Sequence, residues 1–152
     1  MSDFHVEGSQ TVAGTDDTTL TLEIASSTRF KIFEHTSGFT LASPTDSLLS
    51  VRAHRFVTAD GVGTARTPNP IDPADAAAIT TCLVNHTTEP TTYSTDEEVW
   101  GPIGQHMRAT YRWVAAPGKE IISSVTASTG VGYVASHASV TPEHLISAYF
   151  SE

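Results

Sequence analysis

The sequence predicts an all-β fold, a two-sheet sandwich of jelly-roll type with about eight strands. Three observations predict it. Short runs such as TTLTLEI alternate apolar and polar residues with the two-residue period of a half-buried strand. Gly, Pro and Ser–Thr clusters cut these runs at the spacing of sandwiches and barrels. Thr, a β-branched residue suited to strands, fills much of the space left by a charged fraction of only 16%.

Residues 1–17 are rich in Gly, Ser, Thr and Asp, with Phe4, Val6 and Val12 as the only apolar anchors. They read as an extended N-terminal arm that packs on its own sheet or on a neighbouring subunit, outside a sandwich domain of residues 18–152. Thr18 to Ile24 is the first strand, with Leu20, Leu22 and Ile24 inward, and Ser26-Ser27 ends it. Thr28 to His35 is the second, with Phe30 and Ile32 on one face and Arg29, Lys31 and Phe33 on the other. A loop punctuated by Gly38 and Pro44 follows. Leu48 to Thr58 is a longer strand. It carries Leu49, Val51, Ala53 and Val57 on one side and Arg52, His54 and Phe56 on the other, with Arg55 suggesting a bulge.

Asp60 to Gly63 is a turn. Its Gly61-x-Gly63 pair lacks the continuation of a phosphate-binding loop. Three prolines in Thr67 to Pro73 impose an irregular excursion. Asp72 then reads as an N-cap with Pro73 at the first helical position, opening one short helix from Pro73 to about Val84. Asp72 and Asp75 read as capping and first-turn residues, not as calcium ligands. Thr91 to Trp100 reads as a strand carrying the acidic cluster Asp96-Glu97-Glu98 on a solvated edge.

His106 to Ala115 alternates most cleanly. Met107, Ala109, Tyr111, Trp113 and Ala115 fall on one side and Arg108 and Arg112 on the other. Ala116-Pro117-Gly118-Lys119 supplies a turn, so Glu120 to Val125 is expected to return as the second arm of a hairpin. Gly130 to Ser136 and His144 to Ser151 are the last strands.

Charge and motifs narrow the function classes. The formal net charge is −9, which argues against binding nucleic acid or an anionic membrane surface. Cys82 is alone, so no internal disulfide can form; it reads as an inert buried thiol. The start, MSDFHVEGSQ, lacks the basic and apolar regions of a secretory signal, and no run approaches the ~20 apolar residues of a membrane helix. Synthesis in a cytoplasm is expected, so the sequon Asn85-His86-Thr87 carries little weight. The histidines, His5, His35, His54, His86, His106, His137 and His144, form no close metal-ligand pair. No nucleophile elbow or paired-carboxylate signature appears. The chain is therefore expected to have no catalytic, cofactor or metal site. Arg108, Arg112 and Trp100 are candidate assembly contacts, since Arg and Trp are enriched at interfaces.

Two segments, DGVGTARTPNPIDPADAAA (Asp60 to Ala78) and QHMRATYRWVAAPGKEI (Gln105 to Ile121), resemble a small structural protein encoded with the head genes of tailed bacteriophages. The pattern is a Gly-rich turn, T-P-x-P-x-D-P-A-D, and later R-A-T-x-R-W-V-A-A-P-G. The resemblance covers most of the chain from about Thr28 and is weak in the arm. It implies a virion component, a capsid decoration or cement protein. Such a protein would stand on the exterior of the head as a homotrimer bound to the lattice of the major capsid protein. The arm, through Phe4, Val6 and Val12, is then expected to make intersubunit contacts, so that its deletion would weaken capsid binding and spare the fold. The alternatives are a carbohydrate- or receptor-binding sandwich, which would present Trp100 or Trp113 on a concave aromatic patch, and a tail or head–tail connector subunit, which would form rings.

Overall fold

The computed structural model describes residues 1–152 except 15, 26–27, 43–45, 58–59, 91–92 and 138, and the backbone alone of 94–97. The Ser26-Ser27 break, Pro44 and the side chains of Asp96 and Glu97 lie outside the described residues. The strands are β1 (Asp3–Thr11), β2 (Asp17–Glu23), β3 (Lys31–Thr40), β4 (Leu48–Phe56), β5 (Val62–Ala65) and β6 (Asn69–Pro70). They continue with β7 (Thr81–Thr88), β8 (Tyr93–His106), β9 (Tyr111–Val114), β10 (Ile121–Ile122), β11 (Gly130–Ser136) and β12 (Glu143–Ser151). They form two six-stranded antiparallel sheets, and no helix occurs among the described residues. One sheet runs β10-β3-β12-β1-β6, with β9 also on β3; the other runs β5-β7-β2-β11-β4-β8.

The inner faces meet in one apolar core. Phe4, Val6, Ile32, Ile146, Ala148 and Phe150 come from the first sheet, with Phe30 just before β3. Leu20, Leu22, Ala53, Cys82, Val84, Val131 and Tyr133 come from the second. Phe150 stacks on Phe4 at 5.5 Å and meets Phe30 edge-on at 6.0 Å, offset geometries that aromatic quadrupoles favour. Cys82 is buried at 2% exposure, and desolvation pushes its thiol pKa far upward, so it behaves as a small apolar residue.

The N-terminal segment is not an arm. β1 lies between β12 and β6 in the first sheet, pairing with β12 from Asp3↔Ser151 to Thr11↔Glu143. Phe4, Val6 and Val12 are at most 2% exposed and belong to the core, so they cannot serve as intersubunit contacts. The physical reason is legible in DFHVEGSQT. Phe4, Val6 and Gly8 alternate inward, and a Cβ on Gly8 would sit 2.8 Å from both the Thr19 carbonyl oxygen and Val84 Cγ1. Glycine lets the opposing sheet approach there. The whole chain exposes 7327 Å², close to the ~7,400 Å² of a compact monomer of this mass, so the N-terminal segment does not project from the domain.

The expected helix is also replaced. Asp72 does begin a turn, accepting from Ala74 N at 2.9 Å through its carboxylate and from Asp75 N at 3.0 Å through its carbonyl. The turn does not propagate. Thr80, Thr81, Val84, Thr87 and Thr88 are β-branched, and Cys82, Val84 and His86 alternate inward with a period of two, so Thr81–Thr88 extends as β7 against β2.

The hairpin expected at Pro117-Gly118 is a detour. Gly118 does adopt φ +77°, and Lys119 N donates to Ala116 O at 2.9 Å. However, β9 and β10 run in the same direction along the same edge of β3, joined through Ala115 N to Phe33 O at 2.9 Å. They are one strand with a loop bulging from it. The chain reverses earlier, at Met107 to Thr110, where it crosses from β8 in one sheet to β9 in the other. Gly61 and Gly63 mark close backbone approach to β7: a Cβ would meet Thr88 O at 2.2 Å and Val84 O at 2.7 Å respectively.

Candidate functional site

The densest polar chemistry lies between the sheets. Thr19 on β2, Ser37 on β3, Gln105 on β8 and His144 on β12 are all buried. Ser37 Oγ donates to Gln105 Oε1 at 2.7 Å, so it must accept from His144 Nε2, 2.9 Å away. His144 Nδ1 is then the acceptor for the Thr19 hydroxyl at 2.6 Å. Gln105 Nε2 donates to the carbonyls of Ser37 at 2.9 Å and Ala109 at 2.8 Å. Each side-chain polar group of this four-residue network has a partner, and the His144 ring is fixed as the neutral Nε2–H tautomer. Burial, reinforced by His35, presses the His144 pKa down to about 3. Thr19 and Gln105 belong to one sheet, Ser37 and His144 to the other, so the network bolts the sheets together.

Beside it, His35 sits in an aromatic box. Trp113 stacks on the ring at 5.0 Å, Trp100 meets it edge-on at 4.3 Å, and Tyr133 closes the box at 5.1 Å. The Tyr133 hydroxyl lies 3.2 Å from His35 Nδ1, while Nε2 is buried without a hydrogen-bond partner among the described residues. Desolvation lowers the His35 pKa to about 4. A third buried imidazole, His86, places Nε2 3.1 Å from Asp60 O, and its pKa is likewise lowered by burial.

The outward face of the first sheet is different. His5, Tyr149 and Phe33 form a row of half-buried rings, His5 to Tyr149 at 4.7 Å and Tyr149 to Phe33 at 6.4 Å. Leu145 and Val114 are exposed on the same sheet. Arg112 projects there and holds Glu34 bidentately, at 2.6 and 2.9 Å, which keeps the Glu34 carboxyl below its usual range. A shallow groove of about 550 Å³ includes the small residues Ser9, Thr36, Gly38 and Ser147.

The sequence-selected residues therefore scatter. Phe4, Val6 and Val12 are core. Trp100 lies on β8 and walls the His35 box. Arg112 is on the exposed face, but Arg108 sits in the crossover turn, 3.8 Å from Asp46, so the two arginines do not share a strand face. Thr19, Ser37, Gln105 and His144 were not singled out together by sequence reasoning: His144 shares the inward parity of Ile146 and Ala148, but alternation puts Thr19 opposite Leu20 and Leu22, and Ser37 and Gln105 fall outside the predicted strands. No group of three or more His, Cys, Asp or Glu that could hold a metal occurs among the described residues. Set beside models of known protein families, curated proteins and solved structures, the chain matches none of them.

Proposed function

We propose that this chain is a virion structural protein of a tailed bacteriophage, a decoration or cement protein that assembles as a homotrimer on the major capsid protein lattice. The resemblance of Asp60 to Ala78 and Gln105 to Ile121 is one support. The observation that carries the reading is the row His5–Tyr149–Phe33 with Leu145 and Val114 on one outward sheet face. Half-buried rings packed against one another suit a standing protein contact, because less side-chain entropy is lost on docking than for fully exposed side chains. The hydrogen-bonded tie between the sheets behind that face suits a part that holds its neighbours in register.

The strand order supports the jelly-roll form of the sandwich. With β5–β7 set aside as an insertion and β9–β10 taken as one strand, the order is six-three-eight-one in one sheet and two-seven-four-five in the other. The mechanism is mass action: binding only the assembled lattice stabilises it, and several seats per trimer add avidity. The glycan-binding alternative gains no support, since Trp100 and Trp113 pack around His35 instead of lying side by side on an open face.

The test is to add purified protein to expanded heads that lack it and follow co-sedimentation and the temperature of genome release. Saturable binding with delayed release is expected, together with a solution mass three times that of the chain. Heads that stay bare at saturating protein would refute the reading.

A further inference from the structure

The protein has six arginines. Four of them meet a carboxylate: Arg52 with Asp16, Arg66 with Glu7, Arg108 with Asp46 and Arg112 with Glu34. The other two, Arg29 and Arg55, meet none among the described residues, although the chain carries 17 acidic residues against 8 basic ones. Both line one hollow of about 410 Å³ at the end of the sandwich, where the chain crosses from β10 to β11.

The two side chains are positioned there by backbone. Arg29 Nε donates to Ser123 O at 3.0 Å, and Arg55 Nη2 donates to Ile122 O at 2.7 Å. Adjacent carbonyls thus anchor both guanidinium groups, and among the described residues they occupy only one of the five N–H groups that each carries. Ser124 lines the same hollow. Its Oγ accepts from Thr126 N at 3.2 Å, so its own O–H is left to donate. The hydroxyls of Ser123 and Thr129 are already committed to Ser124 O at 3.2 Å and Thr126 O at 2.6 Å. Two like charges lining one hollow repel each other, and an anion between them offsets that repulsion.

We propose that this hollow is an oxyanion-binding site in which Arg29, Arg55 and the Ser124 hydroxyl hold a phosphate or carboxylate group. The inference does not rest on the virion reading. A free anion and a carboxylate side chain of a neighbouring protein share the chemistry, and the experiment separates them.

The wild-type protein is titrated with inorganic phosphate and, separately, with a short glutamate peptide, while the arginine Nε–H resonances and the melting temperature are recorded. A saturable shift of the Arg29 and Arg55 signals with a rise in melting temperature is expected for at least one probe. Tighter binding of phosphate marks a free anion as the ligand, and tighter binding of the peptide marks a protein carboxylate. Arg29→Gln with Arg55→Gln should weaken the response roughly tenfold or more, the loss of several charge-assisted hydrogen bonds. The exposed Arg29→Gln alone carries this arm if the double variant does not fold. Arg112→Gln removes the same charge elsewhere and should leave affinity within about twofold. Absence of a saturable response to both probes, or equal weakening by Arg112→Gln, overturns the proposal.

Discussion

Ser37 and His144 lie on neighbouring strands with Oγ and Nε2 2.9 Å apart, and neither residue reaches solvent. A serine beside a histidine invites a catalytic reading, but here the serine proton is committed to Gln105 and the far ring nitrogen accepts from Thr19. The pair is a structural tie. Ser37→Ala would leave His144 Nε2–H and Gln105 Oε1 buried without partners. A loss of about 2–4 kcal/mol is expected in urea unfolding, at ~1–3 kcal/mol per orphaned group. A loss below about 1 kcal/mol would mean the network is not what joins the sheets.

Two of the three buried imidazoles, His35 and His144, set the acid limit. Their folded pKa values lie below the ordinary 6.5, at about 4 for His35 and about 3 for His144. On acidification the unfolded chain takes up protons first. The stability these groups contribute is therefore complete above pH 6.5 and declines as pH falls towards those values. Each adds a slope of roughly 1.4 kcal/mol per pH unit within that window. His35→Gln should flatten the pH dependence of the urea midpoint by one proton's worth, whatever its effect at pH 7.

Glu23 acts in the opposite sense. Burial, then the charge of Asp60 and a hydrogen bond to it, raise its pKa to about 7. A carboxyl held protonated in the fold favours folding below its ordinary pKa of 4.5, and the advantage is lost as pH rises through 7. Glu23→Gln is expected to raise stability by about 1 kcal/mol at alkaline pH, after allowance for solvent screening of a half-exposed group. It should bring no gain in acid. Thermal melts at the two pH extremes check this; a gain of equal size in acid would count against it.

Removing residues 1–12 takes away β1, one of the inner strands of its sheet. The truncated chain should lose its cooperative thermal transition, the reverse of what a dispensable arm would show. The milder Phe4→Ala should cost about 3–5 kcal/mol. Circular dichroism melts distinguish these outcomes from an unchanged fold.

Strands with an unbroken two-residue period were readable from sequence. Leu20 and Leu22 point inward as their alternation demands, and Gly130–Ser136 is paired over its whole predicted length. The misassigned strand faces share one cause. Alternation predicts a face only until the register slips by one residue. Between Phe150 and Tyr149 the pairing with β3 skips Phe33, so Phe30 and Ile32 point inward before the slip and His35 and Ser37 after it. That slip builds both the aromatic box and the Ser37–His144 tie, and nothing in KIFEHTSG announces it. β4 departs from its reading in a similar way, burying Phe56 and exposing Val57. Pro117-Gly118 shows the other limit. A local turn signal states that the chain bends, but the free edge of β3 decides where it goes next.

The ends of the chain hold each other: Ser2 N donates to Glu152 O at 3.0 Å, and Glu152 N returns a bond to Ser2 O at 3.1 Å. The Glu152 carboxylate also ties down Ile79 and Thr80, at 2.5 and 3.0 Å to their backbone nitrogens. The polypeptide is thus nearly a closed circuit. A short linker could weld its two extremities, and new ones could be cut at the exposed Pro117-Gly118 detour without unpairing any rung of either sheet. A cargo fused at residue 1 or residue 152 would leave from one point on the rim, beside β6.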